Sequence, residues 1–374
     1  MNQSSGEAPR LLGVSCAFDG SHMVPGDVRI AEGRVLNMGV GPGVGANIAA
    51  PGFVDLQLNG FGGVDLQSAS PELMIEMSGK LAASGVTSYQ PTLISAPIGS
   101  MVRALEALKV AAQATGTAQM LPVHLEGPFL SPKWPGAHPL EHLRLPDFAV
   151  LDQLMSLDNV GYMTLAPELP GAYEMIVELR ARGVVVAIGH TDATAEEATT
   201  GFRAGASVLT HALNAHRRFL PRDPGPIAAA INEEAWLTVI ADGIHLSPLT
   251  LSMLSRAAGA RIVAISDAMV AAGLGDGLFG FGELDVHVRN GRAELASGQL
   301  AGSTTTLHEE VRFLLGAGLP VEAALAAVTS RPAAVLGRTN LGRLQEGGPA
   351  DLVILDSTMH PLVTLLGGVE IARA

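Results

Sequence analysis

Three apolar segments of this chain end on side chains suited to binding a divalent metal. The stretch 121–130, LPVHLEGPFL, is a short strand pattern (Leu121, Val123, Leu125) that ends on Glu126 before Gly127-Pro128 stops it. VVVAIGHTDAT delivers His190 in the same way, and ASVLTHALNAH delivers His211. A carboxylate at the tip of a buried strand needs a strong partner, because an unpaired buried charge is very costly. One carboxylate and two imidazoles form a three-ligand set for one divalent cation, with a position left for water. The donor set suits zinc, and iron, manganese or cobalt fit it too. Taken singly, each histidine also reads as a structural strand end.

Other residues can work beside such a cation. Asp267 ends the apolar run VAISDAM. Alone it reads as a helix cap; next to an activated water it is a general base that returns the proton to a leaving nitrogen. Gln57 and Asn59 share a face two residues apart, where many barrel metal hydrolases carry two histidines. Amides are weak ligands, so one metal is expected; the alternative is a hydrogen-bonded strand end. Arg222 in FLPRDPG and His245 in IADGIH are candidate anion contacts, with Asn214 and the amides after it. For Arg217 and Arg218 the plainer reading is a solvated loop.

These residues need a frame that brings distant strand ends together. Strand patterns recur at 52–58, 86–93, 121–126, 160–168, 184–190, 206–211, 236–242 and 261–267, with helical stretches between most of them. Ser70-Pro71 opens a helix over 71–84 that Gly85 closes. Thr194 and Glu197 fit a capping box for 194–204, and Ser247-Pro248 opens 247–258. Eight βα units with polar residues at the strand C-termini predict an α/β (β/α)8 TIM-like barrel over 51–339. A doubly wound sheet is the rival, but it does not bring eight strand ends to one centre. Segment 279–299 reads as an inserted hairpin turning at Asn290-Gly291, and helices at 304–316 and 320–336 close the barrel. Residues 1–50 and 340–374 carry short strands, with turns at Glu32-Gly33 and Gly367-Gly368. Each part is too small for its own core, so a joint β-sandwich domain is expected.

Composition narrows the partners. Lys+Arg of 23 against Asp+Glu of 36 gives a formal charge of −13, which disfavours nucleic acid and anionic membrane. One cysteine, Cys16, excludes an internal disulfide framework and suits a reducing cytoplasm. The opening MNQSSGEAPR lacks a secretion pattern, and no uncharged apolar run reaches the roughly 18 residues of a membrane span. A cytoplasmic location is expected.

HLEGPF, KWPGAH, IGHTDAT, LTHALNAH, PRDPG, ADGIH, SDAM and LAGS occur here in the order and spacing of the N-acetylglucosamine-6-phosphate deacetylases. From about Pro51 to Ser303 the chain resembles that family of the amidohydrolase superfamily. The resemblance implies metal ligation by Glu126, His190 and His211, with Asp267 as acid/base. It implies that His138 helps hold and polarise the acetyl carbonyl beside Ala137. Contacts to sugar and phosphate are implied for Gln57, Asn59, Asn214, Ala215, Arg222, His245 and Ser303. It also implies one divalent ion per subunit and a homodimer in which Arg222 reaches the neighbouring site. The reaction expected is hydrolysis of the acetamide of N-acetyl-D-glucosamine 6-phosphate to acetate and the amine. Rivals are another N-acyl amino-sugar phosphate, such as the galactosamine epimer, and a non-catalytic sugar-phosphate binder. One departure stands out: His216-Arg217-Arg218 follows Asn214-Ala215 where the family usually has Met.

Overall fold

The computed structural model describes residues 8–373; residues 1–7, within the opening MNQSSGEAPR, and residue 374 lie outside the described residues. Eight parallel strands form the barrel: β1 Phe53–Leu58, β2 Val86–Leu93, β3 Val123–Glu126, β4 Val160–Leu165, β5 Val185–Ile188, β6 Val208–Leu209, β7 Trp236–Val239 and β8 Ile262–Ala264. They pair in chain order. The ring closes where Leu58 bridges Ala268 in parallel and the Asp267 N–H donates to the Gln57 carbonyl at 2.9 Å. Because β1 and β2 are buried on both faces, they read as continuous runs rather than alternating ones.

Local chemistry sets the helices between strands. Ser70 caps Pro71–Ala82, Thr194 and Glu197 form the capping box of Ala195–Ala204, and Ser247 caps Pro248–Ala258. Each satisfies backbone donors that the first turn leaves free, worth about 1 kcal/mol. Val54, Leu56, Tyr162, Ala187, Val208 and Val263 form one apolar cluster. Residues from five strands of a ring can meet only inside it, so this is the barrel interior. Ala333 and Val335 join them from Ser330–Val335.

The termini build the second unit. A six-stranded sheet runs in the order 369–373, 361–366, 352–355, 48–51, 16–18, 23–25, so the two ends of the chain interleave. A three-stranded sheet of 10–11, 27–31 and 34–40 accompanies it, and Val14, Ile30, Val35, Ala49, Leu352 and Leu365 share a core. Glu32-Gly33 and Gly367-Gly368 both turn with positive φ, as tight hairpins require.

Two expectations change. The inserted element is a three-stranded sheet, Gly277–Phe281, Leu284–Arg289 and Arg292–Leu295, rather than one hairpin over 279–299. Its first strand, GLFGF, lacks the alternation that marks a half-buried strand. The helix expected over 320–336 breaks into Val321–Ala327 and Ser330–Val335. Thr329 leaves helical geometry at φ −129°, ψ −89°, and Pro332 sits in the new first turn, where its missing N–H is tolerated.

Below the barrel mouth, Asp55 is fully buried and accepts a 2.5 Å hydrogen bond from the Ser266 hydroxyl. Burial pushes its pKa from 3.8 to about 7, against the pull of Ser266 and the Gln57 N–H. A raised carboxyl pKa gives stability that is complete below pH 3.8 and lost as pH rises through about 7. At roughly 1.4 kcal/mol per pH unit, Asp55 accounts for a loss on the order of 4 kcal/mol. Asp55→Asn is therefore expected to flatten the fall in melting temperature between about pH 4 and about pH 7. An unchanged slope in a thermal melt series would refute this.

Candidate active site

Glu126, His190 and His211 converge at the C-terminal mouth of the barrel, the face where catalytic side chains of this fold gather. Glu126 Oε1 lies 3.0 Å from His211 Nε2 and 3.3 Å from His190 Nε2, and the two Nε2 atoms are 3.1 Å apart. All three residues are buried. His190 Nδ1 meets the Trp134 carbonyl at 3.0 Å, and His211 Nδ1 meets the Asn214 carbonyl at 3.1 Å. A carbonyl only accepts, so each Nδ1 carries the proton and each Nε2 offers a lone pair. Two lone pairs and a carboxylate oxygen thus face one another at contact distance. Such a cluster is repulsive unless a proton or a metal cation sits among it, and two imidazole nitrogens with a carboxylate are a donor set that fits a divalent metal.

His138 is near enough to look like another ligand, since its ring, Glu126 and His190 offer donor atoms within 4.8 Å of one another. Its hydrogen bonds decide otherwise. The Ser95 backbone N–H donates to His138 Nδ1 at 3.1 Å, so the proton lies on Nε2. That atom, 3.5 Å from Glu126 Oε2, is a donor aimed at the site.

Asp267 and the two amides complete the floor. Asn59 Nδ2 donates to Asp267 Oδ1 at 2.8 Å. Gln57 Nε2 donates to the same oxygen and to Glu126 Oε1, both at 3.0 Å. Turned this way, the amides present N–H groups where a second cation would need lone pairs. Burial opposes ionisation of Glu126, but the imidazoles of His138, His190 and His211 around it hold its pKa well below normal. Burial and then the Glu126 charge push Asp267 up to about 6. Burial depresses His190. It also works against His211, where the neighbouring Glu126 carboxylate prevails and raises the pKa.

His190, His211 and Asp267 all have positive φ, at 47°, 30° and 46°. Non-glycine residues rarely sit there, and the strain of about 1–3 kcal/mol each is typical of functional positions. Here it turns each side chain inward as its strand ends.

A cavity of about 380 Å³ opens above these groups, lined also by Ala137, Asn214, Ala215 and His245. Asp242 fixes His245, with Oδ2 2.7 Å from its Nδ1. Ser303 and Arg222 stand apart. The Ser303 hydroxyl donates to the Ser266 carbonyl at 2.5 Å, which pins the end of β8 rather than lining the cavity. Arg222 is exposed and does not line the cavity of its own chain. Arg217 is occupied by Asp223 and Asp192, at 2.6 and 3.3 Å. His216 is buried with neither ring nitrogen partnered, Arg218 is exposed, and neither lines the cavity. Sequence reasoning passed over Ser95, Trp134, Asp192 and Asp242. Only Asp242, three residues before His245, carried a usable signal.

Residues 48–371 match the amidohydrolase family. An N-acetylglucosamine-6-phosphate deacetylase from Bos taurus is 36% identical over 340 residues, covering 87% of this chain and 83% of the relative. An N-acetylgalactosamine-6-phosphate deacetylase from Escherichia coli O157:H7 is also 36% identical, over 321 residues, 84% of this chain and 85% of its own. Among solved structures, a mutant N-acetyl-D-glucosamine-6-phosphate deacetylase from Mycobacterium smegmatis in complex with N-acetyl-D-glucosamine-6-phosphate superposes with a TM-score of 0.92. It is 31% identical and covers 98% of this chain and 100% of its own.

Proposed function

The chain belongs to the amidohydrolase family, among the N-acetylglucosamine-6-phosphate deacetylases, and we propose that it hydrolyses N-acetyl-D-glucosamine 6-phosphate to D-glucosamine 6-phosphate and acetate. The observation that carries this is the fixed protonation pattern of the mouth. Two imidazole lone pairs and a carboxylate face inward beside one N–H donor and one carboxylate of raised pKa.

Glu126, His190 and His211 hold one divalent cation, for which zinc is our choice. The cation supplies Lewis acidity that polarises the carbonyl and makes water acidic enough to lose a proton near neutral pH. Around it, His138 Nε2–H donates to the acetyl oxygen as negative charge develops there. Asp267 Oδ takes the proton of the attacking water, then gives it to the departing amine nitrogen. Gln57 and Asn59 hold Asp267 in place through the bonds described above. Ala137, Asn214, Ala215 and His245 surround the sugar and its phosphate. For Ser303 we propose a supporting role, holding the end of β8.

We assign Arg222 to the phosphate bound by a neighbouring copy, which makes the working form a homodimer. Its exposure in a loop that also exposes Phe219 and Leu220 supports this reading. Sugar phosphates and a lone free cysteine both suit a reducing cytoplasm. Among the described residues no helix is long and apolar enough to cross a membrane.

A hydrogen bond to a charged group contributes about 1.5–3 kcal/mol. Arg222→Ala is therefore expected to raise KM for the 6-phosphorylated substrate roughly 10–150-fold. Hydrolysis of the unphosphorylated sugar should stay as it was. Steady-state acetate release from both sugars checks this, and equal effects on the two would remove Arg222 from the phosphate site. The galactosamine-type deacetylase, 36% identical like the glucosamine-type relative, keeps a second reading in view, in which the C4 epimer is the substrate. Comparing kcat/KM for the two epimers separates the readings.

A further inference from the structure

We infer that Asp192 is the positioning residue that sets His190 for metal binding, acting through the side chain and carbonyl of Trp134. The inference rests on the reading of His190 as a ligand. The Trp134 indole N–H donates to Asp192 Oδ1 at 2.9 Å. The carbonyl of that same Trp134 accepts the His190 Nδ1–H at 3.0 Å. One residue of the loop after β3 is thus held by the strand-end turn after β5 and in turn orients the imidazole two residues upstream of Asp192.

Neighbouring contacts make the arrangement stiff. Lys133, next to Trp134, places Nζ 2.7 Å from Asp192 Oδ2. Arg217, from the loop after β6, lies 3.3 Å from the same oxygen. The turn carrying Asp192 is itself fixed, because its N–H donates to Glu168 Oε1 at 2.7 Å and the Thr191 hydroxyl donates to Glu168 Oε2. The loop also presses on the ring: a Cβ at Gly136 would meet His190 Cε1 at 2.8 Å. Asp192 therefore ties together three loops, those after β3, β5 and β6, which carry His138, His190 and His211. Without that tie the Trp134 carbonyl is free to drift, and His190 loses the acceptor that keeps its proton on Nδ1 and its lone pair on Nε2. Partners that orient a metal-bound histidine typically matter 10–100-fold in affinity.

The test is a zinc competition titration of the purified full chain against a chromophoric chelator, with thermal melts of the chelated, metal-free proteins alongside. Asp192→Ala is expected to raise the zinc Kd about 10–100-fold while the metal-free melting temperature stays near wild type. Trp134→Phe keeps the backbone carbonyl and removes only the indole N–H; it should weaken zinc in the same direction. The double variant should be no weaker than the worse single one. Asp192→Asn keeps an acceptor oxygen for the indole and should recover most of the affinity. Zinc Kd values within about twofold of wild type in both single variants would overturn the inference while leaving the metal site itself intact. A wild-type chain that takes up no stoichiometric zinc would instead sink the reading of the site beneath it. Should Asp192→Ala fail to fold, Trp134→Phe decides the matter.

Discussion

Asp267→Asn is expected to lower kcat about 10³-fold while the protein keeps its fold and its cation. The side chain is buried, and the substitution preserves its shape. The amide oxygen of the new residue can still accept from Asn59 and Gln57, so the floor of the cavity should persist. What disappears is the capacity to take a proton from water and return it to nitrogen, and general acid–base groups typically contribute 10²–10⁴-fold. The pH profile adds a second criterion. Burial and the Glu126 charge hold Asp267 at about 6, and a bound cation would draw that value lower. A base must be ionised, so wild-type activity should fall as pH drops through that lowered value, on the acid side of about 6, and that limb should vanish in the variant. Acetate release and metal content, measured on the same preparation, test both. Near-normal turnover from a metal-loaded Asp267→Asn protein would remove Asp267 from the reaction.

The parts of this site that were legible in the sequence share one property: an apolar run that stops on a polar side chain. Glu126, His190, His211 and Asp267 all show it, because a barrel strand must be apolar along its length and can carry chemistry only at its tip. The eight strands were legible for the same reason, and three helices announced themselves by capping residues. Backbone contributions were not. The carbonyls of Trp134 and Asn214, which fix the two imidazoles, and the Ser95 N–H, which fixes His138 the other way, have no side-chain signature. Nor could three non-glycine residues with positive φ be anticipated, since His and Asp tolerate that conformation better than most residues but adopt it only in a small minority of positions. Arg217 shows the opposite failure. Its charge beside a sugar-phosphate motif suggested an anion contact or a solvated loop, yet Asp223 of its own loop and Asp192 of another had already claimed it.

Removing the carboxylate at the tip of β3 should have the other large effect. Glu126→Gln is expected to weaken the cation by more than the 10–100-fold typical of an orienting partner, and to abolish turnover at ordinary metal concentrations. Glu126 is the only anion in the proposed ligand set. Its replacement leaves two neutral imidazoles facing a carbonyl or an N–H, and the N–H orientation blocks the site outright. Stability should respond in a way that separates ligation from packing. In the metal-free protein, exchanging a buried carboxylate for its neutral isostere removes a desolvation cost along with its favourable contacts, and beside neutral imidazoles it leaves no buried charge unpaired, which is the costly case. The metal-free melting temperature should therefore move little. The stabilisation that added zinc gives the wild type, which grows with the ratio of free ion to Kd, should be lost. Melts with and without zinc measure both quantities on the same protein. If Glu126→Gln keeps the zinc-dependent rise in melting temperature, the cation is not held by this carboxylate. If instead the metal-free protein collapses, Glu126 serves the packing of the barrel mouth rather than the ion, and the lone pairs of His190 and His211 need another explanation.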